Sequence, residues 1–239
     1  MALGFWAGYA WLTREAVRQG YTLDFVDKLT LVILLSSLAG ARTLYVILEW
    51  NEFRGDLISI VRPPCGGFVF YGGFVAALAC TFIYLRREKT SVWEIGDLIA
   101  PALVLGQAVG RWGCYFNGCC FGSPIADILP WGMLYPENAP ASLMYGSHRL
   151  HPSPIYESLG CLAIFFLLRR LARTRAFPGQ VLWSYTALYG TMRFLLEFLR
   201  GDDRGFTLYA LSPSQWTGLV MVPLGLLMLW RLGRVQRRA

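Results

Sequence analysis

The stretch YGTMRFLLEFLR, residues 189–200, is apolar except where Arg193 and Glu197 interrupt it one helical turn apart. A charged side chain inside a bilayer costs about 2.5–3.5 kcal/mol even on insertion scales, so it normally faces a bundle interior or water. Tyr189, Arg193 and Glu197 recur every four residues and share one helix stripe. The stretch therefore predicts an embedded helix with a polar face toward its neighbours. In a simpler alternative, Arg193 and Glu197 only pair and hold the helix in place.

The composition supports a membrane setting for this helix. Of the 239 residues, 55% are hydrophobic and 15% are charged, and the mean hydropathy is +0.44. A soluble domain carries about 25% charged residues. The chain is therefore predicted to be an integral membrane protein. Its net charge of +7 is interpreted as a sign of membrane topology, and we expect no nucleic-acid partner.

The apolar runs predict an all-α membrane protein, a bundle of about seven transmembrane helices with a periplasmic loop region. The runs form a single integral domain, residues 1–239, and cover residues 1–12, 29–48, 66–85, 93–113, 154–168, 179–199 and 211–230. A crossing helix needs about 20 residues. The first run is shorter, so either the chain begins inside its first span or an upstream start has been lost.

The positive charges predict the orientation of the bundle. Most of the 22 Lys and Arg residues fall in the connections after the first, third, fifth and seventh runs. Connections rich in Lys and Arg remain in the cytoplasm. We therefore expect a cytoplasmic C-terminus, an outer N-terminus and an outward-facing connection over residues 114–153.

The predicted spans carry more charge than one stray pair. Three arginines and three acidic residues lie within them: Arg42, Arg111, Arg193, Asp97, Glu157 and Glu197. Arg111 and Arg193 are both expected in the outer half of the bilayer, near the exits of their spans. Arginine binds phosphate through a rigid fork of donors. Two arginines at that depth are suited to hold a phospholipid headgroup while its acyl chains stay in lipid.

Glycines near these charges have two interpretations. Gly106 and Gly110 lie four residues apart in the fourth apolar run, and this spacing of small residues favours close helix packing. Gly72 and Gly73 lie at the outer start of the third run. For this pair, close packing and a backbone opened to a ligand are both compatible with the sequence.

Five motifs, in order along the chain, resemble those of the bacterial prolipoprotein diacylglyceryl transferases. They read GARTLY (40–45), GGFVFYGG (66–73), GRWGCYFNGCCFG (110–122), HPSPIYE (151–157) and YGTMRFLLEFLR (189–200). The resemblance implies a multi-pass protein of the bacterial inner membrane whose site faces the periplasm. It further implies transfer of the diacylglyceryl group of phosphatidylglycerol to a cysteine thiol of a lipoprotein precursor, with release of glycerol-1-phosphate.

The resemblance also implies functional roles for individual residues of this sequence. Glu157 is expected to have a supporting role in the site. Catalytic roles are expected for Arg111, Arg193, Tyr189, Tyr71 and His151. Substrate-binding roles are expected for Arg42, Asn117, Gly122, Gly72, Gly73, Glu197, Arg200, Tyr156 and Asp97. Arg111 and Arg193 are the residues expected to hold the charge of the leaving phosphate. His151 has a structural alternative, a hydrogen bond to a loop carbonyl where the fifth helix begins.

Three positions depart from the family pattern. Tyr71 replaces a histidine, Cys114 replaces an asparagine and Cys119 replaces a glutamate. With a reference pKa near 10, tyrosine is a poorer base than histidine at neutral pH. Two alternatives to the usual reaction therefore stay open, a paralogue with another acceptor and a non-catalytic phospholipid-binding protein. An anion transporter ranks last, because the charges cluster toward the outer side.

Cys114, Cys119 and Cys120 form a cluster in the third motif. In an oxidising periplasm a structural disulfide is the first interpretation, followed by inert thiols and then by a reactive thiol. A metal site with His148 or His151 is the least favoured, because C-x4-CC is not a familiar zinc framework. The sequence therefore predicts no metal and no cofactor. A monomer is expected for a site supplied from lipid.

Overall fold

The computed structural model describes residues 2–60, 67–126, 129–202, 209 and 211–236, and helices dominate these ranges, with no strand among them. The helices are α1 (Ala2–Arg18), α2 (Leu23–Leu48), α3 (Trp50–Phe53), α4 (Phe70–Arg87), α5 (Val92–Phe116), α6 (Pro140–Tyr145), α7 (Ser153–Thr174), α8 (Gln180–Glu197) and α9 (Pro213–Gln236). A short 3-10 helix covers Leu57–Ile60. The predicted apolar runs fall on α1, α2, α4, α5, α7, α8 and α9. The all-helical class is therefore confirmed.

Three helices in the described part of the chain, α2, α5 and α9, are long and apolar enough to cross a membrane. The outer surface of α2 supports this setting, since Leu31, Leu35 and Leu38 are each at least half exposed. Soluble monomers rarely expose a continuous apolar stripe of this kind. Membrane helices are thus confirmed in coarse form.

The helices group into two compact units, Glu15–Val92 and Met1–Arg14 with Trp93–Ala239. In the Glu15–Val92 unit, α2 packs against α4 through glycines. A Cβ atom on Gly72 would collide with the carbonyl oxygen of Gly40, and one on Gly73 would lie 2.7 Å from the carbonyl oxygen of Ser37. Close packing, one of the two interpretations of this glycine pair, is the arrangement in the structure.

The larger unit has a core between α5, α7 and α8. The buried residues at its centre include Val104, Cys161, Leu168 and Val181. Helix α1 approaches α5 closely, because a Cβ atom on Gly4 would lie 2.6 Å from the carbonyl oxygen of Gly106. Close helix packing is confirmed for this stretch of α5.

Polar side chains fix where α8 and α9 begin. The Asp97 carboxylate on α5 accepts hydrogen bonds from the backbone amides of Gly179 and Leu182, both at 2.8 Å. Ser212 and Gln215 form a reciprocal capping box at the start of α9. These bonds satisfy amides that have no partner within their own helices.

Candidate active site

An ion pair joins α5 to α7 near the end of α5. Arg111 Nη2 lies 2.5 Å from Glu157 Oε1, and the Glu157 side chain is only 1% exposed while that of Arg111 is 24% exposed. The Tyr189 hydroxyl on α8 donates to the same carboxylate oxygen at 3.4 Å. Three helices of the larger unit therefore converge on one buried carboxylate, and the arginine stays partly accessible.

Arg200, just after α8, completes the charge around Glu157. Its Nη1 atom lies 3.9 Å from Glu157 Oε2, and its side chain is 2% exposed. The same guanidinium donates twice to Asp202, at 2.8 Å from Nε and 2.7 Å from Nη2. Arg111 and Arg200 thus bring two cations to one glutamate, and Asp202 offsets part of the excess positive charge.

Gly122 is the point where three segments cross. Its amide donates to the carbonyl oxygen of His151 at 2.9 Å, and it forms an isolated antiparallel bridge with Arg200. A Cβ atom on Gly122 would lie 2.6 Å from Ser153 Oγ. The crossing places the end of α5, the start of α7 and the end of α8 at the same end of the unit.

Arg193 extends the polar surface along α8. Its Nη2 atom lies 2.8 Å from Glu197 Oε2 and 3.0 Å from Ser214 Oγ on α9. Its Nη1 atom is buried and has no hydrogen-bond partner within the described ranges. Arg111 and Arg193 both lie within electrostatic reach of Tyr189. Arg193 therefore keeps a buried donor atom that is unused within the described residues.

Three thiols face the same region. The Sγ atoms of Cys114, Cys119 and Cys120 lie within 4.8 Å of one another, and none of the described cysteines is in a disulfide. Arg111 Nη1 lies 4.0 Å from Cys114 Sγ and 3.9 Å from Cys120 Sγ. A hydrogen bond from Cys114 holds the pKa of the Cys120 thiol below its ordinary value, assisted by Arg200 and by the charge of Arg111, although burial acts in the opposite direction.

His151, Tyr156 and Asn117 lie around this end of the unit. His151 Nδ1 is 3.3 Å from the Tyr156 hydroxyl, and the His151 backbone lies at the crossing with Gly122. Its ring therefore contacts the side chain of Tyr156 on α7. Asn117 follows α5 directly and is exposed.

Asp97 is placed away from this group. It lies fourteen residues before Arg111 on α5, about 21 Å along a helix that rises about 1.5 Å per residue. There it pairs with Arg175 at 3.0 Å and caps α8. The polar core expected from the sequence is therefore divided, with one charged group at each end of α5.

Arg42, Tyr71, Gly72 and Gly73 belong to the Glu15–Val92 unit. Arg42 donates to the carbonyl oxygens of Ile60 and Gly67 and thereby holds the connection between α2 and α4. Tyr71 is half exposed. Within their unit, Arg42 contacts carbonyl oxygens and the two glycines contact α2.

Four residues of these polar groups were not singled out in the sequence: Ser214, Asp202, Arg175 and Tyr145. The Tyr145 hydroxyl donates to the carbonyl oxygen of Gly201 at 2.9 Å and so supports the loop after Arg200. Asp202 had a local signal, since it lies two residues after Arg200. Ser214 and Arg175 had none, because each meets its partner from a distant part of the chain.

Comparisons with known proteins identify the family of the chain. A family profile described as prolipoprotein diacylglyceryl transferase matches residues 1–231. A phosphatidylglycerol–prolipoprotein diacylglyceryl transferase of Clostridium tetani is 31% identical over 95% of this chain and 88% of its own length. Proteins of the same name from Thermosynechococcus vestitus and Geobacillus kaustophilus are each 32% identical, over 93% and 84% of this chain and 82% and 73% of their own lengths. The chain therefore belongs to the prolipoprotein diacylglyceryl transferase family.

Proposed function

We propose that the protein transfers the diacylglyceryl group of phosphatidylglycerol to a cysteine thiol of a lipoprotein precursor and releases glycerol-1-phosphate. The names of its relatives favour this enzyme over a non-catalytic lipid-binding protein. The observation that carries the proposal is the position of Arg111 on α5, which Glu157 holds through an ion pair. Tyr189 on α8 bonds the same glutamate, and Arg193 lies one turn further along α8.

The arginines suit the leaving group of this reaction. As the bond between the glycerol carbon and the phosphate oxygen breaks, negative charge grows on the phosphate. Fixed donors aimed at such charge stabilise the transition state more than the ground state. Arg111 is partly accessible and Arg193 has a buried donor atom in reserve. We assign both guanidinium groups to the phosphate, with Glu157 and Tyr189 as the groups that position Arg111.

The acceptor supplies the other half of the reaction. Its thiolate attacks the glycerol carbon, a carbon–sulfur bond forms, and the phosphate leaves with the electrons of the broken carbon–oxygen bond. The thiol must first lose its proton, because only the thiolate is nucleophilic. His151 lies at the Gly122 crossing beside Tyr156 and is our candidate to take that proton.

The remaining assignments complete the proposal. Asn117, Gly122, Arg200, Tyr156 and Glu197 are assigned to substrate binding at this end of the larger unit. The family resemblance supports a catalytic role for Tyr71 and substrate-binding roles for Arg42, Gly72 and Gly73. We propose that the chain crosses the bacterial inner membrane about seven times as a monomeric single domain. The distribution of Lys and Arg supports a cytoplasmic C-terminus and a site toward the periplasm.

The test uses the purified full chain in lipid micelles with phosphatidylglycerol and a synthetic peptide that ends in a lipoprotein-type cysteine segment. Mass spectrometry is expected to show a peptide heavier by one diacylglyceryl group, and a matched peptide with serine in place of cysteine is expected to stay unchanged. Release of glycerol phosphate without peptide modification would indicate a different acceptor. If neither product forms while the Clostridium tetani relative modifies the same peptide, the proposal is wrong.

A further inference from the structure

The three thiols of the site, on Cys114, Cys119 and Cys120, lie close to one another in the structure. Cys114 lies in the last turn of α5 and is buried, and Cys119 and Cys120 follow the helix and are half buried. All three Sγ atoms lie within 4.8 Å of one another. A cluster of this size, partly open to its surroundings, has the dimensions of a metal site with an entry path.

The backbone after α5 is folded to bring these thiols together. The Cys119 amide donates to the carbonyl oxygen of Cys114 at 3.1 Å, which closes a tight turn. Cys120 has a φ angle of +61°, a left-handed conformation that non-glycine residues seldom adopt. Such backbone strain is concentrated at functional sites. Here it accompanies two consecutive side chains whose sulfur atoms both lie within 4.8 Å of that of Cys114.

The number and type of ligands favour zinc. With Zn–S bonds of about 2.3 Å, tetrahedral geometry needs sulfur atoms about 3.8 Å apart, so small rotations of the three side chains suffice. Among the described residues, no histidine or carboxylate belongs to the cluster. His148 Nδ1 lies 2.6 Å from the carbonyl oxygen of Tyr145, and His151 Nδ1 lies near the Tyr156 hydroxyl. Three protein ligands with an open fourth position are typical of catalytic zinc.

The surrounding charge suits a zinc–thiolate centre. Three thiolates and one Zn²⁺ carry a net charge of −1, and Arg111 Nη1 is placed against two of the sulfur atoms. Groups that bond to the ligands orient them and tune the metal. Arg111 is also the residue assigned to the phosphate of the donor lipid. The cluster is therefore adjacent to the position where the carbon–oxygen bond would break.

Chemistry argues against a covalent intermediate on these cysteines. If Cys120 attacked the donor lipid, its product would be a thioether, and an acceptor thiol would then have to displace an alkyl thiolate from carbon. Nothing in the proposed reaction activates that leaving group. A role that keeps the enzyme thiols unalkylated is therefore required.

We propose that Cys114, Cys119 and Cys120 bind one Zn²⁺ and that the acceptor cysteine thiolate occupies the fourth position. This inference rests on the proposed function. The acceptor thiol loses its proton on binding, since a thiol that coordinates zinc is deprotonated, and His151, the base of the proposed function, takes that proton. Its sulfur then forms the bond to the glycerol carbon, and the phosphate leaves with the electron pair of the broken carbon–oxygen bond. The resulting thioether is a neutral, weaker ligand and dissociates.

The first experiment measures zinc in the full chain, purified in detergent under anaerobic, reducing conditions. Elemental analysis is expected to find about one zinc per chain. Cys114→Ser, Cys119→Ser and Cys120→Ser are each expected to reduce zinc at least tenfold. Cys80→Ser, at an exposed position on α4, is the matched control and is expected to keep it. Cys119→His, which preserves a zinc ligand, is expected to keep zinc even if the serine variants fold poorly.

Two results, one from the zinc analysis and one from a separate alkylation of the thiols, would overturn the inference. One is less than a tenth of an equivalent of zinc after the wild-type chain is incubated with Zn²⁺ and desalted. The other is a Cys114–Cys120 or Cys114–Cys119 disulfide in protein alkylated directly in isolated membranes, since oxidised sulfur cannot serve as the ligand.

The second experiment replaces zinc by Co²⁺, whose absorption reports on its ligands. Addition of the cysteine peptide is expected to strengthen the sulfur-to-cobalt charge-transfer band, and the serine peptide is expected to leave it unchanged. An identical spectrum with both peptides would exclude the acceptor from the fourth position.

Activity separates a failure of this inference from a failure of the proposed function. Chelation of zinc is expected to reduce peptide modification at least about 100-fold, with recovery on addition of Zn²⁺. Full activity of the zinc-free chain would disprove the role of zinc and leave the transferase proposal intact. A chain that binds zinc and the peptide thiol but never modifies the peptide would contradict the proposed function instead.

Discussion

Glu157 on α7 binds Arg111 on α5 through an ion pair of 2.5 Å, in a setting where the glutamate is almost completely buried. The same carboxylate accepts the Tyr189 hydroxyl and faces Arg200. One carboxylate therefore sets the position of a guanidinium group that points toward the thiols and the expected lipid phosphate. Loss of this carboxylate would leave Arg111 without its acidic partner.

The first prediction follows from this ion pair. Glu157→Gln keeps the shape of the side chain but removes its charge. Loss of one partner of a buried pair destabilises a protein by about 3–5 kcal/mol, and a misplaced Arg111 would no longer stabilise the phosphate. We expect a lower unfolding free energy by about that amount and kcat at least about 100-fold lower.

Denaturation in detergent and the peptide modification assay measure these two effects. Glu137→Gln, in an exposed loop position, is the matched control and is expected to change neither quantity. Full activity of the Glu157→Gln variant would remove Glu157 from the positioning of Arg111.

The second prediction distinguishes phosphate binding from simple pairing at Arg193. Arg193→Lys preserves the positive charge opposite Glu197 but loses the planar fork that fits a phosphate. We expect kcat to fall about 100-fold or more, the loss typical for removal of one transition-state donor. Arg169→Lys, on the exposed face of α7, serves as the control. Unchanged kcat in Arg193→Lys would support the alternative in which Arg193 and Glu197 only hold α8 in place.

The third prediction concerns Asp97, which caps α8 at the end of the unit away from Arg111. Asp97→Asn removes the charge that accepts from Gly179 and Leu182 and pairs with Arg175. We expect a loss of about 3 kcal/mol in unfolding free energy, while kcat per folded molecule stays within about threefold of wild type. A large fall in kcat with unchanged stability would instead return Asp97 to the substrate-binding role assigned from the sequence.

The fourth prediction tests the crossing at Gly122. Gly122→Ala would place a methyl group 2.6 Å from Ser153 Oγ and 2.7 Å from the carbonyl oxygen of His151. Because these segments cannot separate without moving Arg200 and His151, we expect a loss of about 1–3 kcal/mol in stability and a strong loss of activity. Gly55→Ala, where nothing lies within 4 Å, is expected to be neutral. Wild-type activity in Gly122→Ala would show that the crossing tolerates displacement.

The helices could be predicted well because their signals are local. Runs of apolar residues as long as a bilayer is thick indicate embedded helices, and each run falls on a helix of the structure. Their ends could be located less well. The start of α8 depends on Asp97, which lies more than eighty residues earlier in the chain. The residues near position 180 therefore do not by themselves indicate where α8 begins.

The site could be predicted in part. Arg111, Tyr189 and Arg193 stand out because charge and hydroxyl groups are expensive within lipid, and the structure joins Arg111 and Tyr189 to Glu157 and pairs Arg193 with Glu197. The sequence gives no sign that Asp97 belongs to a separate charged group, because both ends of α5 look equally embedded. That division depends on which residues of α7 and α8 face each end.

The sequence by itself determined the membrane setting, the helical class and the family, because composition, run length and motif order are properties of the linear chain. Only the tertiary structure decided that three cysteines meet, two of them beside one arginine, and that Asp97 does not join them. The physical reason is that contacts across a helix bundle depend on the direction of each side chain. At Cys120 that direction is set by a left-handed backbone angle, which no spacing of residues reveals.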